Sequence, residues 1–118
     1  MRVAGFPSPA DEYGLVSLSL NELLVPRPTS TFFVRVAEDL APNIRRQDIL
    51  VVDRSLHARH GCLCLVVLAG QLCLRKVEQR GTELWLSSLR AGAPLRLRED
   101  DDSLLWGVVT YVIHHTGA

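Results

Sequence analysis

The most informative stretch of this chain for its fold is Ala37-Glu38-Asp39-Leu40-Ala41-Pro42-Asn43-Ile44-Arg45-Arg46-Gln47-Asp48-Ile49-Leu50-Val51-Val52-Asp53. Its end, Ile49 to Asp53, is rich in β-branched residues and predicts a strand. The run Thr31 to Val36, just before it, is β-branched and aromatic and predicts another strand. The residues between these two runs are therefore expected to form a loop that joins two strands.

Strands are predicted along the rest of the chain as well. Cys62 to Leu68 and Gln71 to Gln79 form a predicted hairpin around the tight turn Ala69-Gly70. Apolar stretches separated by glycines and by the acidic turn 99–102 predict strands at 83–87, 95–97 and 104–114. A helical turn is expected over Asn21 to Leu24, with Ser19 as its cap. The predicted fold class is mainly β, a single compact domain of twisted antiparallel strands.

Length and charge limit the classes of protein that fit. The 118 residues suffice for one hydrophobic core and are too few for two ordinary domains. We expect an extended N-terminal arm over residues 1–13, which are small and contain prolines, and one domain over residues 14–118. The 13 basic and 13 acidic residues balance, so the chain lacks the excess positive charge with which nucleic-acid binders neutralise phosphates. Direct nucleic-acid binding is not expected.

Apolar run length and cysteine content favour a cytoplasmic protein without a membrane contact. The longest apolar stretch, Leu63 to Gly70, is too short to cross a bilayer. The odd number of cysteines in strand-rich segments indicates reduced thiols. Cys62 and Cys64 lie near His57 and His60, but their spacing fits no standard zinc site, so we interpret the cysteines as small core residues. No metal and no cofactor are expected.

The opening stretch also fits a known pattern. Aligned without a gap on Gly-Asp-Ser-Met-x-Pro-x-Ile-x-x-Gly-Asp-x-Leu-x-Val, it matches at Pro42, Ile44, Asp48, Leu50 and Val52. That pattern is the nucleophile segment of the LexA/UmuD-type self-cleaving serine peptidases, which this chain resembles. The resemblance places Asp39 at the position of the family's serine nucleophile. Further along, Leu74-Arg75-Lys76-Val77 resembles the family's strand with the lysine base, and it places Arg75 at the position of that lysine.

These two replacements remove the chemistry of a serine/lysine dyad. Asp39 has no hydroxyl to activate, and the guanidinium of Arg75 stays protonated and cannot accept a proton. Lys76 projects to the opposite face of the strand from Arg75, so we do not expect it to replace the missing base. We therefore expect no catalytic residue at these degenerate positions, and we predict instead a structural ion pair between Asp39 and Arg75.

The N-terminus carries a third resemblance. Ala4-Gly5-Phe6-Pro7-Ser8-Pro9-Ala10-Asp11-Glu12-Tyr13 is similar to the self-cleavage region of the UmuD branch, whose scissile bond precedes the glycine. The resemblance implies that the equivalent, vestigial bond is Ala4–Gly5. Only four residues precede Gly5, so we expect the chain to begin close to where a processed UmuD-like protein begins.

The resemblance also implies a function. It implies a homodimeric, UmuD-like accessory subunit for error-prone translesion DNA synthesis in the bacterial SOS response, without autoproteolytic activity. The implied partners are a Y-family translesion polymerase of the UmuC type and the RecA filament. Two alternatives stay open. One is an active serine peptidase that cuts at Ala4–Gly5 through a nucleophile such as Ser30 or Ser55, although no base is predicted beside either. The other is a regulatory partner that forms mixed dimers with an active LexA/UmuD-type protein.

Overall fold

The computed structural model describes residues 17–90, 92–98 and 104–117. The predicted N-terminal arm, the Ala4–Gly5 bond and the acidic turn 99–102 lie outside the described residues. The described ranges contain one short helix and seven strands: α1 (Leu20–Leu24), β1 (Thr31–Arg35), β2 (Ile49–Asp53), β3 (Leu63–Leu68), β4 (Gln71–Arg80), β5 (Glu83–Ser88), β6 (Leu95–Leu97) and β7 (Leu105–Ile113). None of the helical residues described belongs to a helix long and apolar enough to span a membrane.

The strands form one antiparallel sheet in the order β1-β2-β7-β3-β4-β5-β6. This confirms the predicted fold class, and the predicted strands agree with the observed ones to within a residue or so at their ends. The helix begins one residue earlier than predicted, at Leu20, and Ser19 is its N-cap. The hairpin turn is at Ala69-Gly70, where both residues have positive φ (50° and 77°), as a two-residue turn of this hand requires.

Two apolar clusters form the core. The first joins the opening stretch to the centre of the sheet and has these buried members: Val36, Ile44, Leu50, Val52, Leu65 and Leu74. The second lies between β3, β4 and β5, and its buried members are Cys64, Val66, Val77 and Leu86. Burial raises the pKa of the Cys64 thiol to about 12, which keeps it protonated and makes it a core side chain.

Candidate functional site

The loop between β1 and β2 is closed by its own backbone. The Val36 N–H donates to the Asp48 carbonyl (2.8 Å), and the Gln47 N–H donates to the Val36 carbonyl (2.9 Å). At its tip, the N–H groups of Leu40 and Ala41 both donate to the carbonyl of Ile44. The Ile44 side chain is buried in the first cluster. The residues that match the family pattern therefore include those that shape the loop.

Asp39, at the position of the family's nucleophile, lies on the exposed side of this loop. Its Oδ1 accepts a hydrogen bond from the backbone N–H of Arg46 (2.9 Å). A carboxylate accepts such a bond well but supplies no hydroxyl for nucleophilic attack. In the structure, Asp39 therefore braces the loop from its exposed side by binding the backbone of Arg46.

Arg75, at the position of the family's base, lies on β4 and is half-buried. It pairs with Cys64 on β3 and with Ser88 on β5, and its Nη1 donates to the carbonyl of Leu74 (2.8 Å). Lys76 is the next residue along, so its side chain projects to the other face of the sheet, where it is exposed. Its charge contributes, after hydrogen bonds from Ser87 and Arg80, to lowering the pKa of Glu78.

The predicted ion pair between Asp39 and Arg75 is not formed. In the described part of the chain their charged groups do not come within the 4.0 Å of an ion pair. Each group instead has a backbone partner close by in sequence, the Arg46 N–H for Asp39 and the Leu74 carbonyl for Arg75. Asp39 and Arg75 have opposite charges, yet each binds a different backbone group and not the other side chain.

The two positions nevertheless lie on the same side of the molecule. Arg75 lines a cavity of about 410 Å³ between the β1–β2 loop, the start of β4 and the end of β5. Asp39 lines the adjoining depression, and the two share Leu89 and Arg90 in their walls. Arg90 also ties these walls together, because its Nε donates to the carbonyl of Leu40 (3.2 Å). Asp39 and Arg75 thus line two adjoining depressions, and we refer to the cavity lined by Arg75 as the cleft.

A buried carboxylate, Asp48, anchors the end of the loop. Its Oδ2 accepts from the backbone N–H of Arg45 (2.9 Å), and its Oδ1 lies 2.7 Å from Nδ1 of His114. The Arg45 hydrogen bond lowers the pKa of Asp48 against the opposing effect of burial, and His114 lowers it further. Sequence reasoning missed this contact, since the two residues are 66 positions apart and meet only through the pairing of β2 with β7.

A second buried carboxylate, Asp53, holds the segment that precedes β1. Its Oδ1 accepts from the hydroxyls of Ser30 (3.0 Å) and Ser55 (2.6 Å) and from the Ser55 N–H, and its Oδ2 accepts from Arg27 (2.9 Å). Burial alone would raise the pKa of Asp53, but the hydrogen bonds of Ser55, Ser30 and Arg27 lower it to about 2. A carboxylate with that pKa is a poor general base.

The Asp53 cluster bears directly on the alternative nucleophiles. The candidate hydroxyls of Ser30 and Ser55 both donate to the carboxylate of Asp53, the last residue of β2. None of these three residues lines the cleft. Neither is paired with a histidine or a lysine among the described residues. Their contacts fit a structural role.

Two of the residues considered for zinc, His60 and Cys62, accept hydrogen bonds from backbone groups. The Nδ1 of His60 accepts from the backbone N–H of Gln79 (2.9 Å), and the Sγ of Cys62 accepts from the N–H of Arg59 (3.3 Å). No three side chains of the kinds that bind metals come together within residues 17–90, 92–98 and 104–117.

Comparison with known proteins gives consistent matches over nearly the whole chain. The profile of the Peptidase S24-like family matches residues 2–110. Protein MucA of Escherichia coli is 34% identical over 116 residues, which cover 95% of this chain and 80% of MucA. Protein ImpA of Salmonella typhimurium is 32% identical over 115 residues, 96% of this chain and 79% of ImpA. Protein SamA of Salmonella typhimurium strain LT2 is 30% identical over 115 residues, with 96% and 80% covered.

Proposed function

The chain belongs to the Peptidase S24-like family and is of the LexA/UmuD type, and we propose that it is a UmuD-like accessory subunit of error-prone translesion synthesis in the bacterial SOS response. In this proposal it acts in the cytoplasm by contacts with other proteins and does not cut a peptide bond. Its similarity to MucA, ImpA and SamA over most of their length supports the assignment to this pathway.

One observation carries the proposal of a non-catalytic role. The loop and the cleft of a peptidase fold are kept, while the two positions of the dyad hold side chains that can neither attack a carbonyl nor take up a proton. Both side chains are bonded to backbone groups, Asp39 to Arg46 and Arg75 to Leu74. A peptidase-type fold without a nucleophile and a base at these positions supports a role in binding other proteins.

Exposed apolar side chains support the homodimer in this proposal. Phe33 on β1 and Tyr111 on β7 lie on either side of Val51 in register and are 56% and 40% exposed. Ile113, two residues beyond Tyr111 and on the same face of β7, is also exposed. Large apolar side chains exposed on one face of a sheet are typical of protein interfaces. The further partners proposed are a UmuC-type polymerase of the Y family and the RecA filament.

The absence of self-cleavage is tested by intact mass after prolonged incubation at alkaline pH, where a dyad lysine would be deprotonated. The protein is compared with the double variant Asp39→Ser, Arg75→Lys. We expect the unmodified protein to keep its full mass, and any loss of residues 1–4 to occur in the double variant alone. Cleavage of the unmodified protein at Ala4–Gly5 would overturn the non-catalytic role.

The proposed partners are tested by direct binding. Purified protein is immobilised and exposed to a UmuC-type polymerase and to RecA filaments on single-stranded DNA, with an immobilised sample unfolded by heat as the control. Retention of the polymerase by the folded protein supports the assignment. If neither partner is retained, the accessory role is wrong even if the chain does not cleave itself.

A further inference from the structure

The cleft at the former dyad has two chemically different parts. Its floor is apolar and buried, and the floor residues belong to the first core cluster: Val36, Leu50, Leu65 and Leu74. Leu72 stands at the rim and is 48% exposed, which is unusual for a leucine on a strand. At about 410 Å³ the space lies in the range of sites that bind small ligands or a few side chains of a peptide.

The walls of the cleft carry an excess of positive charge. Three arginines line it, Arg35, Arg75 and Arg90, against a single carboxylate, that of Glu38. Within the described residues none of the three forms an ion pair, since their hydrogen bonds go to carbonyl and amide oxygens. The chain as a whole has no net charge, so this local excess distinguishes the cleft from the average surface.

We propose that this cleft binds an extended, acidic and apolar peptide segment of another protein. In an extended segment alternate side chains project to opposite sides, so leucine-like residues on one side can reach the buried floor while carboxylates on the other side meet the arginines. Arginine is suited to this role because its planar guanidinium can bind a carboxylate through two parallel hydrogen bonds. The replacement at Arg75 thereby gives the site a new ligand preference in place of the lost base.

Charge complementarity decides the occupant. A segment rich in lysine or arginine would be repelled by the three arginines of the cleft. A purely apolar segment would partly desolvate three guanidinium groups without supplying an anionic partner, which is unfavourable. An acidic and apolar segment satisfies both parts of the cleft.

The inference rests on the proposed function in one respect, that the chain works by binding and not by cleavage. Its test is independent of the SOS partners, because it uses a synthetic peptide and no polymerase or RecA. Loss of polymerase binding would therefore leave the peptide result standing, and failure of the peptide would leave the polymerase result standing.

The experiment is a fluorescence-anisotropy titration of the full chain with a labelled peptide in which leucine and glutamate alternate. The matched control peptide has glutamine in place of each glutamate. We expect saturable binding of the acidic peptide that weakens with added salt, and much weaker binding of the neutral one. Arg75→Gln and Arg90→Gln should each weaken binding about tenfold, since each removes a charge-assisted hydrogen bond. Leu72→Asn should also weaken it, through the apolar half of the site.

The control variant is Arg80→Gln, because Arg80 lies outside the cleft, beside Glu78 and over the ring of Trp85. It should bind the acidic peptide like the unmodified protein, and thermal unfolding checks that all variants are folded. Equal binding of the two peptides, equal weakening by Arg80→Gln, or no saturable binding to the unmodified protein would each overturn the proposal. Binding that emerges only after Asp11→Asn and Glu12→Gln would show that the chain's own N-terminal residues fill the cleft, which also overturns it.

Discussion

Two regions of this molecule treat their charged residues in opposite ways. Around Asp53, a buried carboxylate is surrounded by donors, and each of them bonds to it: Arg27, Ser30 and Ser55. Around the cleft, Asp39 and Arg75 have opposite charges and lie on the same side of the molecule, yet neither binds the other. A buried carboxylate with several donors is expected to stabilise the fold strongly, whereas the single backbone hydrogen bonds of Asp39 and Arg75 are expected to contribute less.

We expect the largest change in stability when an aspartate is replaced by alanine in the Asp53 cluster and not in the cleft region. Asp53→Ala should lower the free energy of unfolding by about 2–3 kcal/mol, because it removes the buried carboxylate that accepts hydrogen bonds from Arg27, Ser30 and Ser55. Asp39→Ala removes one exposed hydrogen bond and should cost less than about 1 kcal/mol. Urea denaturation of both variants measures the difference. Equal losses would mean that the cleft is as important to the framework as the Asp53 cluster.

The same stability measurement at acidic pH is the control for that prediction. The pKa of Asp53 is lowered from the ordinary 3.8 to about 2, so its ionised form stabilises the fold above about pH 4 and this stabilisation is lost as the pH falls toward 2. The gap between the unmodified protein and Asp53→Ala should therefore narrow on acidification. A gap that stays constant would indicate that the loss comes from packing and not from the charge.

The next prediction concerns the packing of β7 against β2 beside Asp53. Gly107 lies on β7, where an added Cβ would stand 2.6 Å from Cγ1 of the buried Val52. Gly107→Ala should cost about 1–3 kcal/mol, because a crowded core accommodates an extra methyl only by moving its neighbours. Gly117→Ala, which meets no atom within 4 Å, is the matched control and should leave the free energy of unfolding unchanged. A harmless Gly107→Ala would show that β2 and β7 can separate more easily than their packing indicates.

The same contrast explains what the sequence could predict. Strand positions follow from runs of β-branched residues, such as Thr31 to Arg35, because side-chain pattern and backbone preference act locally. Contacts between charged side chains do not follow from the sequence, since they depend on which donor or acceptor lies nearest in three dimensions. The failed ion pair of Asp39 with Arg75 and the missed bond between Asp48 and His114 are both of this kind.

The smallest expected effect concerns strain in the loop of the cleft. Gln47 has a φ of 79° and occupies the position where the family pattern has glycine. A left-handed conformation costs a residue with a Cβ roughly 1–2 kcal/mol, and a glycine avoids this cost. Glycine also loses more conformational entropy on folding, which cancels part of that gain. Gln47→Gly should therefore be more stable than Gln47→Ala by about 0.5–1 kcal/mol in urea denaturation.

Comparing these two variants isolates the backbone. Both lose the hydrogen bond from Arg35 to the side-chain oxygen of Gln47 (3.2 Å) and differ only in the Cβ. If the alanine variant is as stable as the glycine variant, the loop does not hold residue 47 in a left-handed conformation in solution. If the glycine variant is more stable, the β1–β2 loop holds backbone strain at residue 47, whereas the residues around Asp53 have no positive φ.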